Sequence, residues 1–214
     1  ELILVNTCGF IKDAKEEALA KIMELVSFKA KNNRVKIVAF GCLVKRYFQE
    51  IKDGIPELDY LFSFVTDEEL ARLETEFSDK KSLKKGRIPT CGPLPRVFTP
   101  SHYGFLKIAE GCDNRCSYCA IPDIRGGFQS RPFETLVAEA HSLAHSGARE
   151  IIIVAQDTTR FGLDFAGTCL LPELVKKVGE LPEVRWIRLQ YLHPKRMSNE
   201  LIDALFTLPK VVPY

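Results

Sequence analysis

Gly104-Phe105-Leu106-Lys107-Ile108-Ala109 leads through Glu110-Gly111 into Cys112-Asp113-Asn114-Arg115-Cys116-Ser117-Tyr118-Cys119. The first six residues read as a strand, and three thiols follow it within eight residues. Downstream, strand and helix signals alternate. Pro132 suits the first turn of a helix running toward Ser146. Ile151-Ile152-Ile153-Val154-Ala155 is the clearest buried strand in the chain. A loop through Thr168 leads to a helix near Leu171 to Leu181, Val184 to Leu189 forms another strand, and Ser198 caps a last helix toward Leu208. Three consecutive βα units predict the opening part of a parallel β/α barrel. Barrel enzymes carry their chemistry on the loops after the strands, which puts the three cysteines at that end.

The residues before this segment repeat the alternation on a smaller scale. Leu2-Ile3-Leu4-Val5 is a continuous apolar run, as expected of a strand buried on both faces. Asp13 with Glu16 makes a capping-box signature, and Ala18, Leu19, Ile22, Leu25 and Val26 share one helical stripe behind it. Val35 to Phe40 is a second strand, followed by a helix from Leu43 to Lys52 and a third strand near Tyr60 to Val65. Asp67 caps a helix through Phe77. That order predicts a small parallel sheet with helices on its faces.

From Ser78 to Pro100 the periodicity stops. Lys80, Lys81, Lys84, Lys85 and Arg87 precede Pro89, Pro93, Pro95 and Pro100. The stretch reads as a solvated linker, with a contact to RNA or a ribosome as the alternative reading of its basic run. The expected class is therefore α/β. A parallel-sheet N-terminal domain occupies residues 1–85, a linker 86–103, and the N-terminal half of a TIM-like barrel 104–214.

Of the 214 residues, 46% are hydrophobic and 27% charged, which excludes collagen-like, disordered and disulfide-dense classes. A net charge of +2 gives no global field for nucleic-acid binding. No apolar run reaches the roughly 18 residues of a membrane-spanning helix, and no secretory signal pattern opens the sequence. Seven cysteines, an odd number with a tight local cluster of three, suit ligands or free thiols in a reducing compartment, so a cytoplasmic location is expected. Glu1 opens directly into an apolar run and the only methionines are Met23 and Met197, so the chain reads as a fragment of a longer protein.

Three thiols in a C-x3-C-x2-C spacing can ligate three irons of a four-iron cluster, leaving the fourth iron without a protein ligand. An open coordination position takes a substrate or cofactor, by the logic that separates catalytic from structural zinc sites. Zinc is the competing occupant, with Cys91 or His102 as fourth ligand, although neither stands at a zinc-finger spacing. A cluster of thiols without any metal is the third reading. In the first half, Cys8 follows the first strand and Cys42 the second. If those strands are parallel, both thiols emerge at one sheet edge and can share a cluster; taken separately, each is an ordinary buried cysteine.

The C-x3-C-x-aromatic-C loop, with Tyr118 in the aromatic slot, resembles the signature of radical S-adenosylmethionine enzymes. Ala120-Ile121-Pro122, Arg125-Gly126 and Ser130-Arg131-Pro132 resemble their methylthiotransferase branch, as do Val5-Asn6-Thr7-Cys8-Gly9-Phe10 and Gly41-Cys42-Leu43. Ala155-Gln156-Asp157-Thr158-Thr159 with Gly162 is similar to the members of that branch that modify a ribosomal protein. The tRNA-modifying members usually carry Asn after this Gln.

The resemblance implies two [4Fe-4S] clusters and S-adenosyl-L-methionine as cofactors. It implies that Cys112, Cys116 and Cys119 ligate the cofactor-binding cluster and that Cys8 and Cys42 ligate the sulfur-donating one. The implied activity is radical transfer of a methylthio group to the β-carbon of an aspartate in small-subunit ribosomal protein twelve. A tRNA adenosine 2-methylthiotransferase and a non-catalytic zinc-binding module are the alternatives. The implied partners are the ribosomal protein or ribosome and an electron donor such as flavodoxin or ferredoxin, with no membrane.

Members of the branch also carry a third auxiliary-cluster cysteine ahead of this first strand, the second half of the barrel and a C-terminal TRAM domain. Without them, the piece alone is expected to hold the auxiliary cluster poorly and not to turn over.

Within that resemblance, Tyr118 is placed to shield the first cluster or lie against the adenine, with ordinary packing as the alternative. Gln156 and Asp157, directly beyond a barrel strand, are candidates for hydrogen bonding to S-adenosylmethionine or the substrate, against simple loop capping by Asp157. Arg131 is a candidate partner for a carboxylate of the cofactor or substrate, against a surface ion pair. His193, after the third barrel strand, reads as a capped loop histidine, with a position facing the site as the alternative, and Cys169 as a core or surface thiol.

Overall fold

A computed structural model describes residues 2–63, 71, 73, 75 and 100–213. The chain is α/β and divides into two compact units, Glu1–Arg87 with Ser117–Ile124 and Ile88–Cys116 with Arg125–Tyr214.

In the first unit, β1 (Leu2–Thr7), β2 (Lys36–Gly41) and β3 (Tyr60–Phe62) form a parallel sheet in sequence order. β1 and β2 pair from Leu2 opposite Lys36 to Thr7 opposite Gly41. Helix α1 (Lys12–Lys31) buries Ala18 and Ile22 in a core with Val5, Ile37 and Ala39, while Leu25 and Val26 are half-buried at its margin. Leu19, expected on that stripe, faces solvent. Asp13 is not the N-cap. The chain is already helical at Lys12, because the Lys15 N–H closes the first turn on the Ile11 carbonyl at 3.1 Å. Asp13 instead falls in the first turn, where a carboxylate complements the helix dipole.

The single helix expected over Leu43 to Lys52 is two, α2 (Cys42–Arg46) and α3 (Phe48–Gly54), broken at Tyr47, whose φ of −128° and ψ of 39° leave the helical region. The Tyr47 ring packs on the core with Lys15 and Arg46 lying over it, so tertiary contacts hold the break. β3 ends at Phe62. Val65, Asp67 and Phe77 lie outside the described residues; of the helix expected there, Ala71, Leu73 and Thr75 are helical and Leu73 is buried. Residues 78–99 of the basic and proline-rich stretch, Cys91 among them, also lie outside them.

Asp59 ties α1 to the sheet at the approach to β3. Its carboxylate accepts from Lys29 at the end of α1 at 2.5 Å, and from Lys36 and the Ile37 N–H of β2 at 2.8 Å each. Burial alone would raise its pKa, but the Lys29 and Lys36 ammonium groups and the Ile37 N–H together hold it below the usual aspartate value.

In the second unit, β4 (Tyr103–Lys107) is followed by the short strands β5 (Ala109–Glu110) and β6 (Gln129–Ser130), then by β7 (Glu150–Val154) and β8 (Trp186–Leu189). β4, β7 and β8 form a parallel sheet in that order. Helix α4 (Ile121–Arg125), within the cysteine-rich loop, falls in the Ser117–Ile124 segment of the first unit but for its last residue, while α5 (Phe133–His145), α6 (Leu171–Gly179) and α7 (Asn199–Phe206) follow the main strands.

Leu106, Ile151, Ile153 and Ile187 are fully or nearly fully buried in one core with Leu136 and Ala140 of α5, Leu174 of α6 and Leu205 of α7. On the alternate positions Phe105, Lys107, Val154 and Arg188 stay partly exposed, as the period of two along a strand requires. Consecutive parallel strands joined through helices are the start of a β/α barrel. Pro132 is the N-cap of α5 rather than a first-turn residue, and the Ser198 hydroxyl caps α7 by accepting the Leu201 N–H at 3.2 Å. Among the described residues no helix is long and apolar enough to cross a membrane.

Candidate functional site

The strand entering the cysteine-rich loop and the strand leaving it pair with each other. β5 and β6 run antiparallel, Ala109 opposite Ser130 and Glu110 opposite Gln129, and so close a stem under residues 111–128. The stem is pinned to the barrel strands by Ile108 N–H on the Val154 carbonyl (2.9 Å) and Arg131 N–H on the Ile108 carbonyl (2.8 Å). At its top, Gly111 has a φ of +69°, and a Cβ there would stand 2.1 Å from the Gly127 carbonyl oxygen, so the close approach of the two sides admits only glycine. The next residue, Cys112, is 7% exposed; its N–H donates to the Gly126 carbonyl at 3.1 Å. Asp113 closes the same gap with its side chain. Oδ1 accepts the Phe128 N–H at 2.9 Å, and Oδ2 pairs with Arg160 at 2.7 Å.

The Cys112 sulfur accepts the Asn114 N–H at 3.4 Å. Cys116 and Cys119 are half-exposed, and Tyr118 between them is 90% exposed. Among the described residues no group of three His, Cys, Asp or Glu side chains stands ready around a single metal ion. A four-iron cluster takes each thiolate on a separate iron, so the donor set is the relevant test. Three thiols, one already accepting an N–H, on a loop braced at its stem fit such a cluster.

The ends of β7 and β8 present polar groups beside this loop. Gln156 is exposed. Asp157 is fully buried, and its carboxylate accepts from Arg196 Nη1 at 2.7 Å, from Asn114 Nδ2 at 2.9 Å and from the Thr159 hydroxyl. Arg196 Nη2 donates to Asn114 Oδ1 at 3.0 Å. Asn114 and Arg196 carry no signal of their own in the sequence. Asp157 carried one, since an acid directly after a buried strand demands partners. Arg131 donates through Nη1 to the Lys107 carbonyl and through Nη2 to Glu139 of α5, both at 2.7 Å.

Glu110 pairs with Lys107 and Arg125. Burial raises its pKa, and those two cations more than offset that and hold it low. Asp164 accepts from both the hydroxyl and the N–H of Ser130, which hold its carboxyl low against burial. His193 accepts the Lys195 N–H on Nδ1 as a capping residue, and burial pushes the Cys169 thiol up.

In the first unit, the register that ends at Thr7 opposite Gly41 makes Cys8 and Cys42 the residues directly after two adjacent parallel strands. Both therefore leave the same sheet edge. Cys42 is 3% exposed and Cys8 is exposed. Arg46 Nη1 donates to the Gly9 carbonyl at 3.1 Å, tying the segment after Cys8 to α2.

Residues 106–212, half of the chain, match the Radical SAM superfamily. The chain belongs to that superfamily. The superfamily match starts within β4 and takes in the whole cysteine loop and both following βα units. Residues 1–63 match the Uncharacterized protein family UPF0004.

The chain is similar along all of its length to proteins named ribosomal protein uS12 methylthiotransferase RimO. The one from Desulforamulus reducens is 42% identical over 219 residues, covering 100% of this chain and 49% of that protein. Those from Clostridium tetani and a Sulfurihydrogenibium species are each 41% identical, again with 100% of this chain covered and 49% and 47% of theirs. The chain spans about half the length of the curated relatives it matches. A solved structure of the radical S-adenosylmethionine methyltransferase TsrM from Kitasatospora setae, with tryptophan and a cofactor analogue bound, matches with a TM-score of 0.62 at 17% identity. It covers 90% of this chain and 43% of its own, a likeness of fold alone.

Proposed function

We propose that this radical SAM chain is the cluster-binding portion of a methylthiotransferase that modifies an aspartate of ribosomal protein uS12. The observation that carries the reading is the similarity of about 40% identity, along the full chain, to relatives bearing that name. The two cysteine groupings support it, one after β4 and one at the shared edge of β1 and β2. In this reading residues 1–85 form the auxiliary-cluster domain, 86–103 a linker and 104–214 the first half of the radical SAM barrel.

Cys112, Cys116 and Cys119 hold the [4Fe-4S] cluster that binds S-adenosylmethionine, and Cys8 with Cys42 hold a second. When bound, the first cluster and its sulfonium ligand supply a carbon radical able to take hydrogen from an unactivated carbon such as an aspartate β-carbon. The protein's part is to hold, orient and screen. The β5–β6 stem fixes where the Cys112 thiol stands, and Gln156 offers an exposed amide at the end of β7 to the bound ligand. Tyr118, exposed between Cys116 and Cys119, folds over the ligand and excludes water. Asp157 serves by holding the loop, and Arg131, occupied by Lys107 and Glu139, braces α5 against β4. A reduced flavodoxin or ferredoxin supplies the electron, and a reducing cytoplasm keeps the thiols available.

The test is anaerobic reconstitution of the full-length protein with iron and sulfide, then incubation with S-adenosylmethionine and either uS12 or tRNA. The expected result is a methylthio mass gain on an aspartate of uS12. A gain on tRNA alone overturns the substrate, and a colourless protein that retains stoichiometric zinc and cleaves no S-adenosylmethionine overturns the enzyme.

A further inference from the structure

Asn114 lies between two of the loop cysteines, yet its amide is spent entirely inside the protein. Nδ2 donates to Asp157, Oδ1 accepts from Arg196, and Arg196 donates to the same Asp157 oxygen, at 2.9, 3.0 and 2.7 Å. The three side chains close a ring whose members come from the loop after β5, the turn after β7 and the turn after β8. A buried carboxylate is costly unless paired, so Asp157 commits its neighbours to this arrangement. Only an amide satisfies both neighbours at position 114: a carboxylate would face Asp157, and a cation would face Arg196. The backbone of the same residue directs its N–H at the Cys112 sulfur at 3.4 Å. Hydrogen bonds to cluster sulfurs are among the factors that set reduction potential, and a donated N–H eases the arrival of negative charge.

We propose that the Asn114–Asp157–Arg196 ring is a positioning device for the three-cysteine loop. It anchors the Cys112–Cys116 segment to the ends of β7 and β8, holds the Asn114 N–H on the Cys112 sulfur, and so governs both retention and potential of the cluster. The inference rests on the cluster reading given above for Cys112.

The full-length protein is reconstituted anaerobically as parent, as Asn114→Asp, as Asp157→Asn and as the double variant carrying both changes, in which acid and amide exchange places. Three quantities are read: loss of iron to a chelator, the melting temperature, and the midpoint potential of the cluster whose electron paramagnetic resonance signal responds to S-adenosylmethionine. Asn114→Asp should lose iron about 10- to 100-fold faster and show a more negative potential, and the double variant should recover both. A potential that stays at the parent value while only the melting temperature falls overturns the proposal, as does a double variant no better than the singles. If Asn114→Asp does not fold, Arg196→Lys keeps the charge and loses the fork, and an unchanged potential there is equally fatal. A parent that takes up no cluster responsive to S-adenosylmethionine sinks the cluster reading instead, a different failure.

Discussion

Two glycines set how closely the segments carrying Cys8 and Cys42 can run. A Cβ on Gly9 would stand 2.7 Å from the Cys42 carbonyl oxygen, and one on Gly41 would stand 2.6 Å from the Thr7 carbonyl oxygen with φ at +107°. Gly41→Ala therefore meets both a clash with backbone and a conformation that L residues avoid. Its expected cost is about 1–3 kcal/mol, read as a drop in Tm, with less iron bound after reconstitution. Gly54→Ala is the control, because a Cβ there meets nothing within 4 Å; it should leave Tm unchanged or slightly raised. The cysteines were legible in the sequence because their chemistry is written in their type and spacing. Asn114 and Arg196 were not, because their meaning depends on a contact between residues 82 apart in the chain.

Single elements in the first unit depend on Asp59, where α1, β2 and the approach to β3 meet. Its folded pKa lies below the ordinary carboxylate value, so its contribution is fully present above the unfolded pKa near 3.8 and is lost as pH falls through the lower folded value. Asp59→Asn should cost about 2 kcal/mol at neutral pH, and urea melts of the two proteins should converge as pH is lowered below 4. A constant difference across that range would remove Asp59 from the acid response.

The strands of both sheets were legible as apolar runs, since a parallel sheet covered by helices needs nothing subtler. The start of α1 and the break at Tyr47 were not: the first turn closes on Ile11, ahead of the Asp13 signature, and the break is held by a ring packed against the core. Nor were β5 and β6, whose two residues each are too short to carry a period.

At the scale of the whole molecule, the proposed function divides labour between two sets of thiols, one directly after β1 and β2 and one on the loop that β5 and β6 close. Cys42 follows β2, and Cys116 lies on the loop above the β5–β6 stem. Core contacts of the β1-β2-β3 sheet are separate from those of the β4-β7-β8 sheet, so losing a ligand in one set should leave the fold around the other intact. In the full-length protein, Cys42→Ala should lose roughly half of the cluster iron, keep reductive cleavage of S-adenosylmethionine and lose methylthio transfer. Cys116→Ala should lose the cleavage itself, measured as deoxyadenosine by liquid chromatography. Both variants should keep the far-ultraviolet circular dichroism of the parent, since each change removes one sulfur and neither thiol belongs to the two hydrophobic clusters. Identical deoxyadenosine yields from the two would mean that the thiols serve one shared centre, and that division would fall.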